Sequence, residues 1–334
     1  MKKFMNNADD FLEESLKGLS HAHADLLEVH FDPIFVNRKS LNPNKVLLVS
    51  GGGSGHEPLH AGFVGQGMLD VACPGHVFTS PTPDQMMSAV EYCRSKQGTL
   101  FIVKNYAGDV MNFEMASELI TGEHATILTN DDAAVIDSSY TSGKRGVAGT
   151  VIVEKVVGSL AEQGGSLIEC KTLGDEVNRR CSTMGVALSS CTIPAAGKPT
   201  FDIEDDQIEF GVGIHGEPGR RREELRPAQL IIKDMIVALM DDFNQRDITI
   251  NQQSELLLLV NGFGATPLSE LYLLYHNVIE QLEQSKYKVT RSLVGNFTTA
   301  LDMAGASVTL CILNNSIKQH WDAPVHTAAL RWGM

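Results

Sequence analysis

The segment Lys45-Val-Leu-Leu-Val-Ser-Gly51-Gly52-Gly53-Ser54-Gly55-His56-Glu57-Pro58 constrains this chain more than any other stretch. An apolar run that reads as a buried strand stops in four glycines and delivers a histidine and a carboxylate. Glycine removes Cβ and permits positive φ, so consecutive amides can turn toward a bound oxygen, and in α/β folds such strand-end loops line the ligand crevice. The familiar loop patterns do not fit. A dinucleotide fingerprint counted from Gly53 needs glycine at Pro58, no Gly-Lys-Ser/Thr follows for a P-loop, and a nucleophile elbow centred on Ser54 needs glycine at His56. The loop reads as a polar small-molecule site, with a plain tight turn as the alternative.

Further short apolar runs, Pro33-Ile-Phe-Val, Leu100-Phe-Ile-Val and Ala125-Thr-Ile-Leu, alternate with helix-like stretches over residues 9–27, 83–95 and 112–121. Strand and helix in alternation predict an α/β fold: a mainly parallel sheet with helices on both faces and its functional residues at the strands' carboxyl ends. Three such ends are polar: Gly51 to His56, Lys104-Asn-Tyr-Ala-Gly-Asp109 and Asn130-Asp131-Asp132. The pattern changes near Pro194-Ala-Ala-Gly-Lys-Pro199, so an N-terminal domain is expected over residues 1–190 and a C-terminal α/β or α+β domain over 191–334. In the second, helices are expected over 230–240 and 268–282, strands at 255–260 and near Val289 and Val308, and a polar connecting loop over 242–254.

Composition closes off several function classes. A net charge of -14 and a pI near 5.2 leave no basic face for direct nucleic-acid binding. Six cysteines without a CxxC pair suit reduced thiols rather than a disulfide frame or a zinc site. The N-terminus turns acidic where a signal peptide would turn apolar, and no apolar run approaches a membrane span, so a cytoplasmic protein without a membrane role is expected. His21 and His23 have ligand-like spacing without supporting Cys or carboxylates and read as exposed helix residues; no metal site is expected.

Glu209-Phe-Gly-Val-Gly-Ile-His215-Gly-Glu-Pro-Gly219 places one histidine among four glycines. A lone histidine is often structural. Here, though, Gly55-His56-Glu57-Pro58 and His215-Gly216-Glu217-Pro218 carry similar pieces in different domains, as a site between domains requires. Histidine can act as acid, base or nucleophile near neutral pH. Lys104 and Asp109, on one strand-end loop, are placed to polarise a substrate oxygen and to accept a proton; the alternative is a surface lysine and a helix N-cap.

Taken together, Gly51-Gly-Gly-Ser-Gly-His-Glu-Pro58, Phe78-Thr-Ser-Pro-Thr-Pro83, Lys104-Asn-Tyr-Ala-Gly-Asp109, Phe210-Gly-Val-Gly-Ile-His-Gly-Glu-Pro-Gly219, Gly264-Ala-Thr-Pro-Leu-Ser-Glu-Leu271 and Trp321-Asp-Ala-Pro-Val-His326 resemble the dihydroxyacetone kinase substrate-binding subunit (DhaK-like) family. The resemblance runs from near Met1 to Trp332. It implies a two-domain homodimer that binds dihydroxyacetone with no directly bound cofactor. By matching position, His215 holds the ketone as a covalent hemiaminal, Gly53 supplies a backbone contact, Lys104 and Asp109 bond ligand oxygens, and His56 and Asp109 are the acid/base pair of phosphoryl transfer.

The resemblance leaves two roles. One is the kinase subunit itself, DhaK, which receives phosphate from an ADP-carrying DhaL recharged by DhaM. The other is the coactivator paralogue, DhaQ, which binds the same ligand and acts on a TetR-like transcription factor, DhaS. The departures from the kinase pattern favour the coactivator: Ala107 for Thr, Asn130 for Asp, Ser139 for Leu, Lys144 for Arg, Ala304 and Ala306 in Met303-Ala-Gly-Ala306, and Arg331 for Asn. Capture residues persist while their neighbours drift, as expected of a sensor, and lysine lacks the planar fork of arginine.

Overall fold

The strand and helix alternation does build a parallel sheet, but it is only one of two sheets packed about a shared helix. The computed structural model describes residues 2–135 and 141–334, which leaves Ser139 outside. The first half runs α1 (Phe11–Ala22), β1 (Leu27–Phe31), β2 (Ile34–Arg38), β3 (Leu47–Ser54), β4 (Gly65–Gln66), β5 (Val71–Val77), α2 (Pro83–Cys93), β6 (Thr99–Lys104), α3 (Ala107–Leu119), β7 (His124–Thr129), α4 (Gly149–Glu162) and α5 (Leu167–Arg179). The second runs β8 (Cys181–Ala187), β9 (Gln207–Phe210), β10 (Arg221–Glu224), α6 (Ala228–Gln245), β11 (Glu255–Gly262), α7 (Leu268–Gln284), β12 (Lys288–Gly295), β13 (Gly305–Leu313), α8 (Asn315–Asp322), β14 (Val325–Thr327) and β15 (Arg331–Trp332).

The first sheet has the order β1-β2-β5-β3-β6-β7. β3 runs parallel to β5 and β6, and β6 to β7, while β1 and β2 add an antiparallel edge. The four expected apolar runs became β2, β3, β6 and β7; β5, Val-Ala-Cys-Pro-Gly-His-Val, is broken by Pro74 and Gly75 and gave no such signal. The second sheet, β10-β9-β8-β13-β11-β12, is antiparallel except between β11 and β12. A small sheet, β15-β14-β4, ties the last strands back to the first half.

β8 hydrogen-bonds to β13 and β9, so the second sheet begins at Cys181, ahead of the 190/191 boundary read from the sequence. The glycine- and proline-rich segment 194–199 is a loop inside the second half rather than the link between halves. Residues 242–245, expected in a loop, complete α6: Asp242 is buried there and bonds Lys144 and Ser182.

The layers run α2 and α3, first sheet, α4, second sheet, α6 and α7. α4 is β-branched (Thr150-Val-Ile-Val, Val156-Val157), a composition that costs only a few tenths of a kcal/mol per residue in helix propensity. Burying each Val or Ile contributes ~1.5–3 kcal/mol, so packing decides. It is apolar nearly all round because it is covered on both sides, by Leu48, Leu100 and Ile102 of the first sheet and by Leu257, Leu259 and Cys311 of the second. Two charged residues, Glu154 and Lys155, are carried into that interior. No helix among the described residues is long and apolar enough to cross a membrane.

Candidate functional site

β3 is buried along its whole length, and its glycines meet neighbours on both sides. A Cβ on Gly52 would lie 2.3 Å from Lys104 Nζ, and one on Gly53 would lie 2.6 Å from the backbone nitrogen of Thr79. Glycine is thus required at Gly52 to admit the Lys104 ammonium and at Gly53 to let the Phe78–Thr79 backbone close on the strand. Beyond the strand, Gly55 (φ 101°) turns the chain and Glu57 accepts the Gly55 N–H with both oxygens at 3.0 Å. The carboxylate of the opening motif therefore fastens its own loop.

That loop is also held across the two halves. Thr299 and Leu301 donate their N–H groups to His56 O and Gly55 O, and Thr299 Oγ1 donates to Glu57 O. The His56 ring stacks on Phe78 and lies 2.7 Å through Nδ1 from Thr299 O. A carbonyl only accepts, so His56 carries its proton on Nδ1.

His215 arrives from the turn between β9 and β10, closed by the Gly213 N–H to Glu217 O and the Gly216 N–H to Gly213 O. Glu217 Oε2 accepts the His215 N–H at 2.9 Å and Oε1 contacts Nδ1 at 2.8 Å. Burial pushes the Glu217 carboxyl up, but the His215 imidazole beside it, its hydrogen bond and the Arg145 guanidinium outweigh burial and hold it at about 2. An ionised Glu217 fixes the His215 proton on Nδ1 as well. Yet His56 Nε2 and His215 Nε2 are only 3.0 Å apart, with the rings nearly perpendicular. Two lone pairs repel at that distance, so the contact requires one extra proton shared by the pair, its charge offset by Glu217. Burial, then His215 and Lys104, hold His56 well below the ordinary histidine range, which makes a proton placed there easy to give up.

A cavity of about 630 Å³ opens beside this pair, lined by Gly53, Phe78, Tyr106, Asp109 and His215 among others. Lys104 and His56 lie immediately behind its wall, 1% and 0% exposed. Neither alternative for the Lys104 loop holds: the lysine is buried, and the residue at the α3 N-cap is Tyr106, with Asp109 inside the first turn. Lys104 Nζ lies 3.8 Å from Asp109 Oδ2, while Asp109 Oδ1 is buried without a hydrogen-bond partner. Burial lowers the Lys104 ammonium from its usual range, against the opposing pull of Asp109 and Glu154.

All five predicted residues, Gly53, His56, Lys104, Asp109 and His215, therefore meet at one place between the halves. Asn130-Asp131-Asp132 does not. Asp131 accepts the N–H groups of Val147 and Gly149 and the Thr183 hydroxyl, and Asp132 pairs with Arg145 at 2.6 Å, so this cluster fastens the two halves together. Sequence reasoning assigned no role at the site to Tyr106, Phe78, Thr299 or Glu217. The Glu217 signal was present, since a carboxylate two residues after a histidine in a glycine turn can reach back to Nδ1. Among the described residues no His/Cys/Asp/Glu cluster could hold a metal, His21 is exposed on α1 as read while His23 is its half-buried C-cap, and the six free cysteines are buried.

Fold and site together define an α/β protein of two sheets with a polar, histidine-lined pocket at their junction. The Dak1 domain family matches residues 17–329, and the chain belongs to that DhaK-like family. It is 44% identical, over the full length of both chains, to the PEP-dependent dihydroxyacetone kinase dihydroxyacetone-binding subunit DhaK of Escherichia coli K12. It is 46% identical to a PTS-dependent DhaK of Listeria innocua, over 94% of this chain and 95% of that one. Among solved structures, the dihydroxyacetone kinase operon co-activator Dha-DhaQ superposes with a TM-score of 0.86 at 34% identity, over 95% of this chain and 97% of that one. The C. freundii dihydroxyacetone kinase superposes with a TM-score of 0.88 at 30% identity, over 99% of this chain and 60% of that one.

Proposed function

We propose that this chain captures dihydroxyacetone as a hemiaminal on His215 and presents it for phosphorylation, as the substrate-binding subunit of a dihydroxyacetone kinase. One observation carries the reading: the cavity lined by His215 is also lined by Asp109, one of whose buried carboxylate oxygens has no partner. Capture alone needs the first; a proton acceptor for a ligand hydroxyl is needed only if that hydroxyl is to attack something.

In the capture step the His215 Nε2 lone pair attacks the ketone carbon and a C–N bond forms. The carbonyl π pair moves to oxygen, and the proton shared by the histidine pair passes from His56 Nε2 to that oxygen. The positive charge ends on the His215 imidazolium, beside Glu217, so it stays compensated throughout. Glycerol offers no such carbon, which gives selectivity for the ketone. Lys104 and the Gly53 backbone hold ligand oxygens, and Asp109 takes the proton of the terminal hydroxyl as that oxygen attacks the donor's terminal phosphorus and the bond from phosphorus to the departing ADP oxygen breaks. The phosphate comes from a partner of the DhaL type, and the chain works as a homodimer. Identity of 44–46% over 94–100% of this chain to proteins named as kinase subunits supports this role.

The coactivator role toward a TetR-like factor is the second reading, and one observation favours it: Ala107, where the kinase pattern has a hydroxyl, lines the cavity two residues from Asp109. Three of the other departures are accommodated within the fold, while Arg331 is exposed. Lys144 pairs with Asp242 at 2.6 Å, Asn130 bonds Asn178, and Ala306 lies in the core.

The test is phosphate transfer from charged DhaL to dihydroxyacetone with this protein as the sole substrate-binding subunit, beside mass spectrometry of the adduct. Turnover supports the kinase subunit; an adduct without turnover, where an E. coli DhaK control works, supports the sensor. Undiminished adduct in His215→Ala refutes covalent capture.

A further inference from the structure

Behind the cavity, four ionisable side chains form an unbroken buried row. Lys104 Nζ lies 2.7 Å from His60 Nε2, and His60 Nδ1 lies 2.6 Å from Glu154 Oε1. Asp109 flanks the other side of Lys104. His60 comes from the loop after β3 and Glu154 from the middle of α4, where it is 0% exposed. The first half of the fold has placed a carboxylate between two hydrophobic sheets for a reason its packing does not supply.

The hydrogen bonds fix the direction of the row. Ser50 Oγ donates to Ile102 O at 2.7 Å, so toward His60 Nδ1, 3.0 Å away, it can only accept. Glu154 faces the same nitrogen: burial raises its carboxyl to about 8, against Lys104 and a hydrogen bond from Ser50, and its Oε1 accepts there because the Lys104 ammonium can only donate to His60 Nε2. His60 therefore carries its proton on Nδ1 and turns the lone pair of Nε2 to Lys104. Burial first, then Lys104 and His56, push His60 well below the ordinary range and keep the ring neutral. An ammonium has three N–H donors. One reaches Gly51 O at 3.3 Å and one His60 Nε2, which leaves the third on the side of Asp109.

We propose that His60 and Glu154 are positioning residues for Lys104, holding its ammonium charged and aimed so that its remaining N–H meets a ligand oxygen beside Asp109. Neither touches the ligand. His60 is the acceptor that anchors the amine; Glu154 accepts the His60 Nδ1–H and, as pH rises through about 8, supplies the anion that keeps a buried lysine protonated. The other tautomer would set an N–H against an ammonium. The titratable groups facing Lys104 are Asp109 from α3, Glu154 from α4, and His56 and His60 from the loop after β3; replacing Glu154 by glutamine leaves Asp109 as the sole carboxyl among them.

The proposal rests on Lys104 binding the ligand, and the experiment separates the two claims. Dihydroxyacetone affinity is measured by calorimetry from pH 6 to pH 10 for the parent, Glu154→Gln, Glu154→Asp and Lys104→Gln. Glu154→Gln should bind about tenfold more weakly at pH 9, with its alkaline loss of binding beginning about one pH unit lower, because a lysine deprived of its anion gives up its proton sooner. Glu154→Asp should move that limb back toward the parent, and Glu154→Gln should add nothing in a Lys104→Gln background. A Glu154→Gln protein with parental affinity and limb overturns the positioning role. If Lys104→Gln itself binds as the parent does, the ligand contact is what fails. Should the glutamine variant not fold, nitrogen NMR of the histidine-labelled parent decides: a neutral His60 protonated on Nδ1 is expected, and protonation on Nε2 overturns the proposal.

Discussion

The substitution Glu217→Gln tests the proton accounting at the site. A carboxyl held at about 2 in the fold against a usual 4.5 contributes stability that is present above pH 4.5 and is lost as pH falls through 2. The difference corresponds to about 3 kcal/mol at pH 7, falling to about 1 kcal/mol at pH 3. The substituted amide would also turn its NH₂ toward either the His215 N–H or Nδ1–H, a penalty that does not vary with pH. Urea unfolding of both proteins at several pH values separates the two, since only the charge contribution shrinks on acidification. The same variant should lose at least tenfold in adduct yield at pH 7, because the imidazolium formed on capture loses its counter-charge. A stability difference that stays constant from pH 7 to pH 3 would refute an ionised Glu217 as the partner of His215.

Gly53→Ala should cost ~1–3 kcal/mol and abolish the adduct, because its Cβ meets the Phe78–Thr79 backbone, which cannot swing aside as a side chain would; thermal unfolding and adduct mass read both effects. Asp242→Ala should destabilise by ~3–5 kcal/mol in urea, since it strands Lys144 and Arg246 where they now share one buried carboxylate. Burial pushes the Cys93 and Cys170 thiols up to about 12 and Cys73 higher still, so a thiol reagent at pH 8 should leave the cysteines of the native protein unmodified and react with all six after denaturation. Fast labelling of the native protein would contradict their burial.

Much of the site was legible because its chemistry is local. Gly51 to Gly53, His56, Lys104 and Asp109 sit at strand ends, where an apolar run followed by polar residues is visible in one dimension, and His215 stood out in its glycine setting. The limits of the reading are equally physical. β5 escaped because Pro74 and Gly75 break its apolar run, and α4 because its valines suit a helix only when both sides are covered. The start of the second sheet at β8 is likewise a matter of long-range pairing, since Cys181 to Ala187 carries no mark of which sheet it will join.

By itself, then, the sequence determined the class of fold, the parallel strands of the first half, the family and the five residues that meet at the cavity. Only the tertiary structure decided their protonation and their support. That His56 and His215 must share a proton follows from Thr299 and Glu217 each fixing an Nδ1–H, and Thr299 is 243 residues from His56. That Lys104 is held by His60 and Glu154 follows from α4 lying between the sheets. Hydrogen bonds act over about 3 Å, so which groups they join is settled by packing and not by spacing along the chain.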